Sequence, residues 1–329
     1  MMNVGIIGAG KMGMSHASAV QNYGATVSAI HDTRLEAAQN LGREFEADVV
    51  TDDLDQFFKA PLNAVVLTTP PPVRMTPITR ACERGLHLMI EKPPAMTMEE
   101  GRKCAKAILD SGVITAVGFQ LRYSPLYERL KELLQGEAIH LVRTVCTIDY
   151  YLNFGMSPWF LQKEISGGPI AEQAIHLLDC VRYLLGDPRP VQAVTLGVKN
   201  MAMGRTEFNA ENALQMIYEL EDGTRGIHTN HCGHDKFAFD LELIGPHLRL
   251  HANTTDAKIK GFINSEEIEE SAPSQNQLSL DKTGAWLRAI ETGDRTLIRS
   301  DYENALLTLE LVEAAARSLE ENRIIQCKE

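Results

Sequence analysis

From residue 3 to residue 119, short apolar runs alternate with longer stretches in which apolar residues recur at helical spacing. The runs at 3–7, 25–31, 47–50, 63–68, 86–90 and 114–119 are short and bounded by turn formers, which predicts strands. Helices fit 11–22, 33–43, 53–59, 74–84 and 97–111, with Gly85 and Gly112 where helix C-caps belong. Strict alternation of strand and helix predicts a doubly wound parallel sheet covered on both faces.

After Phe119 the pattern changes. A helix fits 125–134, a long β-like run extends from Ala138 to Tyr151, and an amphipathic helix spans 168–185. Strands follow at 190–199, 211–220, 224–231, 237–244 and 247–250, and a helix from Asp301 to Glu321 ends the pattern. No crossover helices separate those strands, and Glu221-Asp222-Gly223 reads as a hairpin turn. A chain of 329 residues exceeds one ordinary core. The expected division is therefore an α/β domain at 1–120 and an α+β domain with a large open, mostly antiparallel sheet at 121–329.

Composition narrows the partners. The formal net charge is -12, and the cluster Glu266, Glu267, Glu269 and Glu270 has no compensating basic stripe, so nucleic acid and anionic membranes are not expected partners. No uninterrupted apolar run is long enough to span a bilayer, and no cleavable hydrophobic leader is apparent, so a cytoplasmic protein is expected. Six cysteines are scattered without metal-site or disulfide-scaffold spacing, which suggests buried, reduced thiols.

Gly8, Gly10 and Gly13 form G-x-G-x-x-G directly after the first strand and at the opening of the first helix. In that context the glycines permit a tight turn, close approach of a pyrophosphate, and packing of helix on strand, with the phosphates at the positive helix end. The second strand ends at Asp32, about 20 residues on, where a carboxylate accepts ribose hydroxyls. This favours NAD. NADP is the alternative, because Arg34 would offset the charge that Asp32 presents to a 2′-phosphate.

The fifth strand ends in Glu91-Lys92-Pro93-Pro94, at the carboxyl edge where open α/β sheets bind ligands. An ammonium there polarises an oxygen beside the nicotinamide; a solvated surface lysine is the alternative. The proline suggests an unusual turn, with a cis bond as one option. Farther on, Gly167-Gly168-Pro169 precedes a helix in which Glu172, His176 and Asp179 share one face amid apolar neighbours. Such a histidine exchanges a proton near neutral pH while a carboxylate one turn away orients it; a satisfied core histidine is the alternative. His228, His231, Cys232 and His234 crowd one strand, but a regular strand turns His228 and His231 to opposite faces, so no metal site is expected. Tyr150, Tyr151, Phe154, Trp159 and Phe160 either wall a polyol site or pack internally.

Together these stretches resemble the Gfo/Idh/MocA family of sugar and polyol oxidoreductases over nearly the whole chain. The likeness is carried by Gly5 to Gly13 with His16, Asp32, Thr69-Pro70, Glu91-Lys92-Pro93, Gly118 to Arg122, Gly167-Gly168, and His176 with Asp179. It implies a Rossmann domain followed by an α/β domain whose open sheet forms a homodimer or homotetramer. It also implies dinucleotide contacts at Gly8, Gly10, Lys11, Met12, Gly13, Asp32, Thr33, Thr69, Pro70, Glu91, Lys92 and Gln120. Lys92 resembles the family lysine, His176 the acid/base, and Arg122 and Asp179 substrate contacts, while Glu172 as the orienting carboxylate and Trp159 as a substrate contact rest on the reading of the residues themselves. Departures are Glu172 for the usual aspartate, Arg74 for a frequent histidine and Gln120 for a common asparagine. The expected activity is hydride transfer between NAD(P) and a carbinol or carbonyl carbon of a cyclic polyol, sugar or sugar derivative. Two alternatives share the same residues: a nonredox enzyme that retains NAD and oxidises its substrate transiently, and a nucleotide-sensing regulatory protein.

Overall fold

A computed structural model describes residues 2–149, 158–199, 208–273 and 278–327. The chain divides into two compact units, one of residues 1–120 with 277–306 and the other of residues 121–276 with 307–329.

In the first unit, β1 (Asn3–Ile7), α1 (Lys11–Asn22), β2 (Thr26–His31), α2 (Leu35–Phe45), β3 (Val49–Thr51), α3 (Leu54–Phe57), β4 (Ala64–Leu67), α4 (Met75–Glu83), β5 (His87–Ile90), α5 (Met98–Ser111) and β6 (Thr115–Val117) follow in order. The six strands are all parallel and lie in the order β3-β2-β1-β4-β5-β6. That order reverses between β1 and β4, which is where an open α/β sheet makes its ligand crevice. Local signals set the helix limits. Thr97 caps α5 by accepting from the Glu100 amide at 3.2 Å, and Gly112 ends it in the left-handed region.

The second unit contains α6 (Pro125–Leu133), β7 (Leu141–Asp149), α7 (Lys163–Ser166), α8 (Ile175–Leu184), β8 (Pro190–Lys199), β9 (Glu211–Leu220), β10 (Arg225–His231), β11 (Gly233–Ile244), β12 (Leu248–Asn253), β13 (Lys258–Ile263) and β14 (Glu266–Ser271). With the short C-terminal strand described below they form a nine-stranded sheet, antiparallel except where β10 lies beside β7. Along β9 the side chains of Leu214, Met216, Tyr218 and Leu220 are buried, while Gln215 and Ile217 face outward, the alternation of a sheet with one covered face.

The chain then forms α9 (Leu278–Thr292), α10 (Tyr302–Glu321) and β15 (Ile325–Gln326), the last pairing with β8. The expected second domain of 121–329 is thus interrupted. Trp286, Leu287 and Ala289 of α9 join Val4, Ile6, Val27 and Val66 in the core of the parallel sheet. This helix packs on α1 so closely that a Cβ at Gly284 would lie 1.9 Å from the Tyr23 ring.

β13, β14 and α9 were not anticipated by periodicity. β14 consists of the acidic cluster itself, standing at the sheet edge, where charge discourages pairing with another strand. Two of its four glutamates are paired: Lys260 reaches Glu269 at 2.7 Å, and Arg129 grips Glu270 at 2.7 and 2.9 Å. Among the described residues, no helix is long and apolar enough to cross a membrane.

Candidate active site

The glycine turn of the first unit is built by contact. Gly8 has φ +106°, a backbone that side chains disfavour, and its amide donates to the His31 carbonyl at 2.8 Å. A Cβ on Gly13 would come within 2.0 Å of the Gly8 carbonyl oxygen. Gly10 differs, because a Cβ there meets nothing within 4 Å. No side chain caps α1 at Gly10. A helix start left uncapped beside open space is the geometry that receives a phosphate.

Asp32 stands over this turn. Its Oδ2 accepts from the Ala9 amide at 2.8 Å and its Oδ1 from the Arg34 amide at 2.9 Å. Both oxygens keep lone pairs for a ribose. Arg34, whose side chain is 72% exposed, reaches Asp32 only at 3.4 Å. Thr33 and Lys11 are exposed, Met12, Pro70 and Gln120 half-buried. The buried hydroxyl of Thr69 has no hydrogen-bond partner among the described residues. The cradle at Gly10, the carboxylate beside it and this unsatisfied hydroxyl fit a nicotinamide dinucleotide.

At the end of β5 the peptide between Lys92 and Pro93 is cis, and the Lys92 side chain is half-buried. Arg74 ties this turn to the Thr69-Pro70 turn. Its Nε donates to the Thr69 carbonyl at 2.9 Å, and its Nη1 donates to the carbonyls of Glu91 and Pro93. The guanidinium is buried, so one cation fixes two loops that flank the expected nicotinamide position.

Glu91 was expected among the dinucleotide contacts, but the structure turns its carboxylate inward. Oε1 accepts from His16 Nε2 at 2.9 Å and from Lys282 Nζ. Burial alone would raise the Glu91 pKa; the Lys282 ammonium and the His16 hydrogen bond hold it well below the usual carboxylate range. His16 is pushed down by burial and by Lys282, against the pull of Glu91. The neutral imidazole therefore donates from Nε2 and accepts at Nδ1 from Thr283 Oγ1, 2.9 Å away.

In the second unit, the expected helix at 168–185 is present, with a change of pitch inside it: Ile170–Ala174 is π-helical and Ile175–Leu184 is α-helical. The wider π turn alters the angular step between Glu172 and His176, whereas His176 and Asp179 stay three residues apart on one α-helical face. Glu172 is buried on the π turn, His176 is half-buried, and Asp179 is wholly buried. The His176 ring lies 6.1 Å, centroid to centroid, from Phe239, which lies 4.8 Å from the half-exposed Phe237.

Arg122 and Asp179 were expected to touch substrate; the structure instead makes them a buried ion pair. Arg122 Nε donates to Asp179 Oδ2 at 2.7 Å, and Nη2 donates to Oδ1 at 2.8 Å. Asp187 takes the other edge of the guanidinium at 2.7 and 3.1 Å, and Thr308 donates to Asp179 Oδ1 at 3.0 Å. Two facing opposite charges without solvent satisfy each other first. Trp159 stacks on Phe160 at 4.0 Å, and both are half-buried. Tyr150, Tyr151 and Phe154 lie outside the described residues. His228 is buried against Thr144 at 2.8 Å, and burial pushes its pKa down to about 4. Among the described residues no three His, Cys, Asp or Glu side chains are grouped to hold a metal.

Sequence reasoning missed Lys282 and Thr283. The available signal was the polar pair Lys282-Thr283 close before the apolar run Ala285-Trp286-Leu287, all of them buried.

The chain is similar to known proteins in sequence and in fold. Residues 2–119 match the model of the oxidoreductase family with an NAD-binding Rossmann fold, and residues 127–250 match the GFO/IDH/MocA C-terminal domain. Inositol 2-dehydrogenase of Rhizobium meliloti strain 1021 is 26% identical over 331 residues, covering 98% of each chain. The NAD(+)-dependent scyllo-inositol 2-dehydrogenase of Bacillus subtilis strain 168 is 28% identical over 184 residues, which is 55% of this chain and 53% of that one. The match thus spans about half the length of the latter relative. The solved structure of levoglucosan dehydrogenase with NADH and levoglucosan superposes with a TM-score of 0.85 at 18% identity, covering 100% of both chains. With both of its characteristic domains matched in sequence, this chain belongs to the GFO/IDH/MocA oxidoreductase family.

Proposed function

We propose that the protein transfers a hydride reversibly between a nicotinamide dinucleotide and the carbinol carbon of a cyclic polyol, sugar or sugar derivative. The carrying observation is the glycine turn at the uncapped start of α1, with Asp32 fixed on the Ala9 and Arg34 amides beside it. When bound there, the dinucleotide supplies the hydride acceptor, and in the reverse direction the donor.

The chain's own residues have separate tasks. Gly8, Gly10, Lys11, Met12, Gly13, Asp32, Thr33, Thr69, Pro70 and Gln120 hold the dinucleotide. His176 accepts the hydroxyl proton during oxidation and returns it during reduction. Lys92 stabilises the negative charge that develops on the reacting oxygen. Glu172 orients His176, and Trp159 offers an apolar surface to the sugar. The relatives named as inositol dehydrogenases support a polyol, and Asp32 favours NAD over NADP.

A panel of inositols, aldoses, anhydrosugars and nucleotide sugars, assayed with NAD and NADP by nicotinamide absorbance, tests this. Turnover with at least one member is expected. Dinucleotide binding with no turnover across the panel contradicts the assignment and selects a sensing role. Product without net absorbance change selects a nonredox reaction that retains NAD.

The same reading places a second copy of the chain on the outer face of the nine-stranded sheet. Leu196, Ile217, Ile227 and Phe262 are exposed there, and Ile217 is registered directly against Ile227. Sedimentation of the wild-type protein and of Ile217→Lys checks this. A dimer or tetramer lost in the variant is expected; a monomeric wild type contradicts it.

A further inference from the structure

The charged cluster beneath β5 has a task that dinucleotide contact does not explain. Lys282 on α9 is 1% exposed, and its ammonium meets Glu91, which is 6% exposed. His16 on α1 holds the same carboxylate oxygen and is itself held by Thr283. A buried ion pair of this kind adds little net stability over apolar side chains, because desolvating two charges offsets their attraction. Its value lies in direction, since a carboxylate gripped by two donors cannot swing.

The floor of the cluster confirms how little room remains. A Cβ at Gly118 would lie 2.8 Å from Cδ, Oε1 and Oε2 of Glu91. The backbone is gripped as well, by Arg74 on the carbonyls of Glu91 and Pro93. Lys92 lies between those two residues, so its Cα is set by side-chain anchors before it and a main-chain clamp around it.

We propose that Lys282 is a positioning residue for Lys92, acting through Glu91, so that a helix far along the chain aims the ammonium at the end of β5. This rests on the assignment of Lys92 to the reacting oxygen. Lys282 keeps Glu91 ionised and His16 neutral. Removing its charge strands the carboxylate, which then draws a proton onto His16. The charged groups bearing on that exchange are Lys282 from α9, His16 from α1, Arg74 ahead of α4 and Lys92 beside Glu91.

Lys282→Met in the full chain tests this. The kcat on a polyol that the wild type oxidises is expected to fall about tenfold to a hundredfold through misplacement of Lys92, with KM and dinucleotide affinity nearly unchanged. The His16 imidazole, followed by NMR, is expected to titrate at higher pH than in the wild type. Wild-type kcat in the folded variant, or an unmoved His16 titration, overturns the proposal. Should Lys282→Met not fold, Glu91→Gln with Lys282→Met carries no stranded charge; it is expected to fold and stay slow, and wild-type kcat there overturns the proposal. A wild type that oxidises no polyol defeats the functional assignment instead. Positioning is then read from the labelling rate of Lys92 by an amine-directed reagent: a changed rate in Lys282→Met supports it, and an unchanged rate overturns it.

Discussion

Arg122 binds both carboxylate oxygens of Asp179, at 2.7 and 2.8 Å, and neither side chain reaches solvent. Removing Asp179 leaves the buried Arg122 guanidinium with half-buried Asp187 as its carboxylate partner and strands the donors that Asp179 satisfied. The cost is smaller than for a charge left without any partner, about 1–3 kcal/mol. Asp179→Ala is therefore expected to lower the thermal midpoint. A variant of wild-type stability with impaired substrate affinity would restore the substrate contact expected from sequence.

The glycines separate folding from binding. Gly13→Ala drives a methyl group against the Gly8 carbonyl, so the unliganded protein is expected to lose stability. Gly10→Ala meets no atom of the described residues within 4 Å, and the Gly10 backbone, φ -87° and ψ -166°, suits any residue. It is expected to fold normally while binding dinucleotide at least about tenfold more weakly, because the methyl occupies the space the pyrophosphate needs. Calorimetry with and without NADH checks both.

Much of this site was legible early. Gly8, Asp32 and Lys92 closely follow the ends of β1, β2 and β5, Gly10 precedes α1 and Gly13 lies in its first turn, and a strand end followed by glycines or proline leaves a local mark in sequence. Glu91, Arg122 and Asp179 were misread for one physical reason: a motif shows that a charged residue is present, whereas its partner comes from a segment that local pattern cannot bring near. Lys282 supplies that partner for Glu91 across 191 positions. The π turn at Ile170–Ala174 escaped because apolar periodicity alone does not separate one helical pitch from the other. Likewise α9 closes the parallel sheet's core although every intervening strand belongs to the other unit.

Coenzyme choice should respond to Asp32. Its carboxylate is fixed by the Ala9 and Arg34 amides, so a 2′-phosphate would meet a charge unable to turn away. Asp32→Ser is expected to shift the NAD to NADP preference toward NADP by about tenfold or more, assisted by Arg34. Paired kcat/KM values with both coenzymes check this. An unchanged ratio would remove Asp32 from the ribose.

Acid should destabilise the second unit through His228. Its folded pKa is about 4, against an ordinary value of 6.5, so the unfolded chain binds the additional proton between those limits. Stability is fully present above pH 6.5 and falls as pH drops toward 4, by an upper limit of roughly 3 kcal/mol. His228→Gln is expected to flatten this part of the acid limb in denaturation followed from pH 8 to 4. Parallel curves for the two proteins would contradict it.

Proton transfer by His176 accompanies hydride transfer in the proposed reaction, and turnover of His176→Ala against the wild type is its decisive test. With dinucleotide affinity nearly kept, kcat is expected to fall by about 10² to 10⁴. Equal kcat in the two proteins, on a substrate the wild type oxidises, would contradict it.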